Sequence, residues 1–204
     1  MTDVYSLMLQ RRSIRKFKPD PIPSKILVRA VNAARLAPCG ANAQSLKFYI
    51  VQEPKLVAQL FSLSKWGMHL PDGSACPKEG ERPTAWLLIL HDQAIPATTL
   101  AIDMGIAGEH AVLCALNEGV GSCWILNMNF KKAAEILDLP AFLEIHAAIA
   151  LGYPNIEPQA VALPPSRSTK YYWEETGNFC VPKRSLSEVM LVDKSVHIKE
   201  SDLD

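Results

Sequence analysis

The stretch Thr98–Leu126, TTLAIDMGIAGEHAVLCALNEGVGSCWIL, decides how the rest of the chain is read. Residues 98–118 are apolar enough and long enough to make the longest helix of the protein, and Gly119 suits the left-handed residue that closes a helix. Residues 121–126, GSCWIL, then read as a short buried strand. Inside the helix Ala101, Gly105, Gly108 and Ala115 leave a smooth stripe. A glycine in a helix interior costs about 1 kcal/mol relative to alanine, so two of them point to a close neighbour. That neighbour is either another element of the same chain or a second subunit. Gly119-Val120-Gly121 follows a helix rather than a strand, which argues against a dinucleotide-binding glycine turn.

Working outward, LKFYIVQ at 46–52, the run at 85–91 and IHAAIALGYP at 145–154 read as strands, each rich in β-branched, aromatic or buried apolar residues. Helices are expected at 3–12, with Val4, Leu7 and Met8 on one face, and after Ser24, the expected N-cap, with Leu27, Ala30, Val31 and Ala34 at helical spacing. Another begins at Pro54, which suits a first helical position, and a short one at 130–138 is started by Asn129. Residues 64–83 are broken by glycine and proline and read as a long loop. The stretch 154–182 holds five prolines and reads as a loop or lid. SLSEVMLV at 185–192 looks like a last strand, and the final dozen residues like a solvated tail. Strands interspersed with helices give an α/β or α+β architecture.

Composition limits the partners. The 204 residues are 49% hydrophobic and 21% charged, and 21 basic residues balance 21 acidic ones. No global field draws such a chain to nucleic acid or to anionic lipid, and neither is an expected partner. Runs such as AWLLIL at 85–90 are too short to span a bilayer, and the N-terminus lacks the features of a signal peptide. Five cysteines, without a C-x-x-C pair, suit reduced thiols and a cytoplasmic setting. His110 and Cys114 share a helical face, but a metal needs more converging ligands than one pair offers, so none is expected.

Several constellations could carry chemistry. Arg11, Arg12, Ser13 and Arg15 place three guanidinium groups and a hydroxyl within five residues, a good cradle for a phosphate. Basic residues ending a helix also complement its dipole, so the motif alone decides little. In Ala37-Pro38-Cys39-Gly40-Ala41-Asn42-Ala43-Gln44 the small residues admit a close ligand, and Asn42 and Gln44 suit the edge of a polar heterocycle. The same residues would serve as a helix stop and a polar turn. Lys183-Arg184 is either a second phosphate clamp or a solvated pair. No Ser/His/Asp arrangement, nucleophile elbow or P-loop is present. An enzyme of this composition would leave the hard chemistry to a cofactor.

Taken in order, these segments resemble the nitroreductase family of flavoproteins. R-R-S-I-R-K-F at 11–17 is similar to that family's opening signature. Residues 37–46 stand where the family reads A-P-S-x-x-N-x-Q-P-W. Here Cys39 replaces the serine, and Ser45-Leu46 replaces the Pro-Trp. Glu81–Trp86, the 101–118 helix with its following G-V-G-S-C-W-I, A-L-G-Y-P at 150–154 and P-K-R-S-L-S-E-V at 182–189 resemble the later blocks.

The resemblance implies an α+β, three-layer, nitroreductase-like fold. Its central sheet would be mixed but mainly antiparallel and flanked by helices, and the protein a homodimer. It implies one FMN-binding domain over 1–192, with 154–182 as a lid or interface insertion and 193–204 as a tail. Arg11, Arg12, Ser13 and Arg15 would hold the FMN phosphate and the pyrimidine edge of the ring, and Lys183 and Arg184 would complete the phosphate site. Pro38, Cys39, Asn42 and Gln44 would meet the flavin bound mainly to the other subunit. Ser122, Cys123 and Trp124 would line the ring near its reactive nitrogen, and the 101–118 helix would be the dimer core.

By the same resemblance NADH or NADPH would reduce FMN at N5. An electron-poor small molecule, a nitroaromatic or a quinone, would then be reduced in the same pocket, with no side chain acting as catalytic residue. Related activities on this fold include reductive dehalogenation, azoline oxidation and flavin fragmentation. A non-catalytic redox sensor using Cys39, or a cofactor-free structural domain, are readings from other classes.

Overall fold

The computed structural model describes residues 3–70, 73–193 and 195–196. The chain divides into two compact units, residues 1–156 and 157–204. Most of the expected C-terminal tail lies outside the described residues.

The first unit is built on four antiparallel strands: β1 (Leu46–Val51), β2 (Ala85–Asp92), β3 (Gly121–Ile125) and β4 (Leu143–Gly152), in the order β1-β2-β4-β3. β2 is central, and its residues Ala85–Leu90 are all buried. A strand buried on both faces needs a helical layer on each. Trp86, Leu88 and Leu90 pack on one face with Val57 and Leu60 of α3 (Pro54–Ser62) and Ala133 of α5 (Phe130–Ile136). Ala85, Leu87 and Ile89 pack on the other face with Leu27 and Ala30 of α2 (Ser24–Arg35) and Ala107, Ala111 and Ala115 of α4 (Leu100–Asn117). The result is the expected α+β fold of three layers, with α1 (Val4–Gln10) packed on α4.

Local signals place most ends. Pro54 opens α3, with the Glu53 carboxylate accepting from the amides of Lys55 and Leu56. Asn129 caps α5 through Lys132 N–H, and Gly119, at φ +77°, follows α4. By length and composition α4 could cross a bilayer; in this fold it is the helix that covers the sheet.

Three expectations change. Ser24 is the first helical residue rather than the cap, and its hydroxyl donates to Gln52 Oε1. On α1 only Leu7 is buried, while Val4 and Met8 are exposed. The run at 185–192 is not a strand: Leu186–Val189 form α6, opened by a reciprocal capping box between Ser185 and Glu188. The S-x-x-E spacing outweighs the β-branched residues around it because it satisfies two backbone donors at once.

The second unit has more order than a loop. β5 (Gln159–Ala162), β6 (Tyr172–Trp173) and β7 (Phe179–Lys183) form a small sheet in the order β5-β7-β6, parallel on one side and antiparallel on the other. Phe179 meets Tyr171 and Trp173 at ring-centroid distances of 5.5 and 4.7 Å, so these aromatics pack on one another. Arg167 pairs with Glu188, and together with the Ser185 backbone bond this holds the Glu188 carboxyl at about 2, against an ordinary 4.5. A depressed folded pKa means that this contribution to stability is fully present above about 4.5 and is lost as the pH falls through 2. In an NMR titration the Glu188 side-chain carbon should show that low midpoint, and Arg167→Ala should return it towards the ordinary value. An unchanged midpoint in Arg167→Ala would remove the ion pair as the cause.

Candidate functional site

The arginine-rich segment leaves α1 and runs beside the start of β3. Ser13 bridges Ser122 in parallel fashion, and Ile14 N–H donates to the Ser122 carbonyl at 2.8 Å. Further on, Phe17 bridges Pro154, and Phe17 N–H and Lys18 N–H donate to the carbonyls of Glu81 and Tyr153. Two paired glycines, Gly121 and Gly152, make room for this segment. A Cβ at Gly121 would lie 2.7 Å from Ile14 Cγ1, and one at Gly152 would lie 2.7 Å from Phe17 Cδ1. The sequence blocks at 11–17, 121–124 and 150–154 thus become one structural unit.

Within it the guanidinium groups differ. Arg11 Nε pairs with Glu109 Oε1 of α4 at 3.0 Å. Arg12 donates from Nη1 to the Arg11 carbonyl, yet its Nε is buried without a hydrogen-bond partner among the described residues. Burial first, and the neighbouring Arg11 charge second, lower the Arg12 pKa. A buried guanidinium nitrogen without a partner is costly, and an anion would satisfy it. Arg15 lies close enough to Cys123 to act on its thiol, which burial pushes up and the Arg15 charge draws back. Cys123 is turned into the α3/α5 core, so what it offers a ligand is backbone rather than sulfur.

The block at 37–46 forms a tight turn beside a cavity of about 320 Å³ lined by Pro38, Cys39, Gln44, Ser45 and Asp103, among others. Ala41, Asn42 and Gln44 all have positive φ (50°, 54° and 52°), an uncommon concentration for residues with a side chain. Gln44 N–H donates to Cys39 Sγ at 3.4 Å, so the thiol is engaged within its own turn. Asp103 anchors the turn. Its carboxylate, 2% exposed, accepts from Gly40 N–H at 2.9 Å and from Thr99 Oγ1 at 3.0 Å. A Cβ at Gly40 would lie 2.0 Å from Thr99 Oγ1, so only glycine fits there. Ser45 is buried, and its hydroxyl has no hydrogen-bond partner.

α4 ties these parts together. Asp103 holds the 39–44 turn and Glu109 pairs with Arg11, about 9 Å further along the axis at 1.5 Å per residue. Between them Gly108 receives the Trp124 ring: a Cβ there would lie 2.2 Å from two ring carbons. The small-residue stripe therefore divides. Gly108 and Ala115 face the fold, while Ala101 and Gly105 are exposed. Asp103 and Glu109 had escaped the sequence reading; an acidic residue in the first turn of an apolar helix was the available sign of the former.

In the second unit Lys183 and Arg184 line a separate cavity of about 440 Å³, with Arg167, Ser185 and Glu188. Arg167 is a third cation there that no motif had marked. His110 is exposed, and its Nδ1 lies 2.9 Å from the Ile106 carbonyl one turn back. All five cysteines are free.

In this three-layer α+β unit α4 joins the 39–44 turn through Asp103, the arginine segment through Arg11 and β3 through Trp124. The family profile described as "Nitroreductase family" matches residues 8–153, and the chain belongs to the nitroreductase family. It is similar to an NADH dehydrogenase of Thermus thermophilus, 27% identical over 181 residues that cover 76% of this chain and 88% of that protein. Among solved structures it is similar to a nitroreductase family protein of Clostridium difficile 630, with a TM-score of 0.67 and 23% identity over 95% of this chain and 99% of that one. It is also similar to an iodotyrosine deiodinase solved with FMN and 3-iodo-L-tyrosine, with a TM-score of 0.64 and 22% identity over 77% of this chain and 92% of that one. At such identities the two structures speak for the fold.

Proposed function

We propose that this protein is an FMN-dependent oxidoreductase that takes reducing equivalents from NADH or NADPH and delivers them to an electron-poor small molecule such as a nitroaromatic or a quinone. The observation that carries this reading is the buried Arg12 Nε without a partner, in a segment bonded to Ser122. Such a nitrogen fits an anionic group, and the phosphate or the electron-rich edge of FMN is one. Arg11, Arg12, Ser13 and Arg15 would hold the cofactor, with Lys183 and Arg184 serving its phosphate. When bound, FMN supplies the two-electron chemistry that no side chain here provides.

The chain's own part is positioning. The backbone of Ser122, Cys123 and Trp124 is fixed by its pairing with β4 and by the Trp124–Gly108 contact. The turn carrying Pro38, Cys39, Asn42 and Gln44 is held by Asp103 in a conformation that would otherwise relax. A guanidinium in this partly buried place favours added negative charge more than one in water would. A homodimer completes the reading. Ile102 on α4 and Tyr5, Met8 and Leu9 on α1 are exposed apolar residues on helices that pack together, and a second copy would cover them.

The test is an absorption spectrum of purified protein, followed anaerobically as NADH or NADPH is added. A flavin band that bleaches supports the reading; colourless protein that FMN cannot reconstitute overturns it. Arg12→Ala should weaken FMN binding about 10- to 100-fold, the worth of one charge-assisted hydrogen bond of about 1.5–3 kcal/mol. Unaltered affinity would remove Arg12 from the site. The likeness to iodotyrosine deiodinase favours one second reading, reductive dehalogenation by the same cofactor. Halide release from a halogenated phenol, without turnover of nitro or quinone acceptors, would select it.

A further inference from the structure

At one end of the β2–β4 pair the fold assembles three side chains that the flavin chemistry does not use. His91 pairs directly with Glu144 across the strands. One step further the register shifts: Ile89 pairs with Ala147 and Leu90 with Ile145, so His146 is the extra residue of a β-bulge. A bulge re-aims a side chain that regular alternation would place elsewhere. Here it brings the His146 ring to 6.0 Å from that of His91, edge towards face. One ligand atom from each of His91, Glu144 and His146 lies within 4.8 Å of the others.

The donor atoms are prepared for a cation. His91 Nε2 lies 3.1 Å from the Ile95 carbonyl. A carbonyl only accepts, so Nε2 is the donor there, and Nδ1 is the ring atom that faces a cation. Glu144 Oε2 accepts from Gln93 Nε2 at 3.0 Å, which orients the carboxylate. His146 Nε2 lies 3.2 Å from the same oxygen; shielded from solvent, it makes no hydrogen bond of acceptable geometry among the described residues. Two donors on a tetrahedral zinc, with bonds of about 2.0–2.2 Å, sit roughly 3.3–3.5 Å apart. The His146–Glu144 pair, at 3.2 Å, is already near that spacing, and the His91 donor lies within 4.8 Å of both. An outer partner for a ligating histidine and for a ligating carboxylate is how metal sites fix their ligands.

We propose that His91, Glu144 and His146 bind one divalent transition-metal ion of the zinc, nickel or copper class, completed by water. Two imidazoles and one carboxylate suit these borderline ions better than calcium or magnesium, which take oxygen ligands. The ion clamps the ends of β2 and β4 at the Asp92–Ile95 turn. No cysteine takes part, and the site is independent of the flavin.

The test uses the full chain loaded with FMN, stripped with chelator and titrated calorimetrically with zinc chloride. One equivalent should bind with a dissociation constant of about 10 μM or tighter, in the range expected for a partly exposed three-ligand site. His91→Ala, His146→Ala and the isosteric Glu144→Gln should each abolish that binding or weaken it at least about 10-fold, and Gln93→Ala should weaken it by a similar factor through the carboxylate's orientation. Cobalt(II) in place of zinc should give visible d–d bands that are absent from His146→Ala. Retained FMN content shows that each variant is folded. All five cysteines remain in these variants, so zinc bound equally by wild type and by His91→Ala or His146→Ala overturns the proposal. So does wild-type protein that binds no zinc at about 1 mM.

Discussion

Replacing Phe17 by alanine is expected to lower the unfolding free energy by about 3–5 kcal/mol, a large part of the 5–15 kcal/mol that holds an ordinary domain together. The ring is fully buried and lies against Gly152, where no Cβ fits. Removing it empties a cavity lined by strand backbone, which cannot collapse to fill it. The consequence reaches the site. Phe17 ends the segment that begins at Arg11, and the hydrogen bonds of Phe17 and Lys18 to Glu81 and Tyr153 set its path. FMN affinity should therefore fall together with stability, although Phe17 itself meets no ligand. Urea unfolding followed by fluorescence, with flavin release recorded in parallel, measures both. Phe17→Leu should recover most of the loss. A Phe17→Ala protein within about 1 kcal/mol of wild type would show that the arginine segment is held by something other than this anchor.

Gly108→Ala carries the second large effect, and its sign depends on Trp124. In a solvent-exposed helix this change stabilises by about 1 kcal/mol. Here the new Cβ would meet two Trp124 ring carbons at 2.2 Å and Ile89 Cδ1 at 3.1 Å, and overpacking of this kind costs about 1–3 kcal/mol. We expect net destabilisation, a shifted tryptophan emission and weakened FMN binding, because the displaced indole is carried by β3, two residues beyond Ser122, the partner of Ser13. In a Trp124→Ala background the same Gly108→Ala change should become neutral or stabilising. A double-mutant cycle reads that reversal as a coupling energy. Equal effects in both backgrounds would mean that Gly108 is there for another reason, with Ile89 on the same face the first to consider.

Much of the fold was legible because its signals are local. Runs of β-branched, aromatic and buried apolar residues mark the four strands of the main sheet, Pro54 and Asn129 announce their helices, and Gly119 ends the longest one. Where local signals compete, the stronger set of backbone hydrogen bonds prevails over residue type. The β-branched residues of 185–192 suggested a strand, but Ser185 and Glu188 satisfy each other's backbone donors and start a helix. The proline-rich stretch after 154 looked like an unpaired loop. It pairs all the same: β7 finds a parallel partner in β5 and an antiparallel one in β6, and nothing in the spacing of prolines reveals a partner some twenty residues away.

The candidate site divides along the same line. The arginines, the small-residue turn and the glycine-rich strand entry could each be named from their residue types, since the capacity to hold an anion or admit a close ligand belongs to the side chain itself. Residue types and local patterns thus suffice for the layers, the element order and the family resemblance. Packing, by contrast, determines that the Nε of Arg12 is shielded without a partner among the described residues, that Asp103 grips Gly40, that Gly108 makes room for Trp124, and that a bulge carries His146 to His91. These are contacts between residues far apart in the chain, fixed by strand register and by close packing. Neither leaves a periodic trace in the sequence, because a single pairing shift or a missing Cβ has its meaning only against the residue that fills the space opposite.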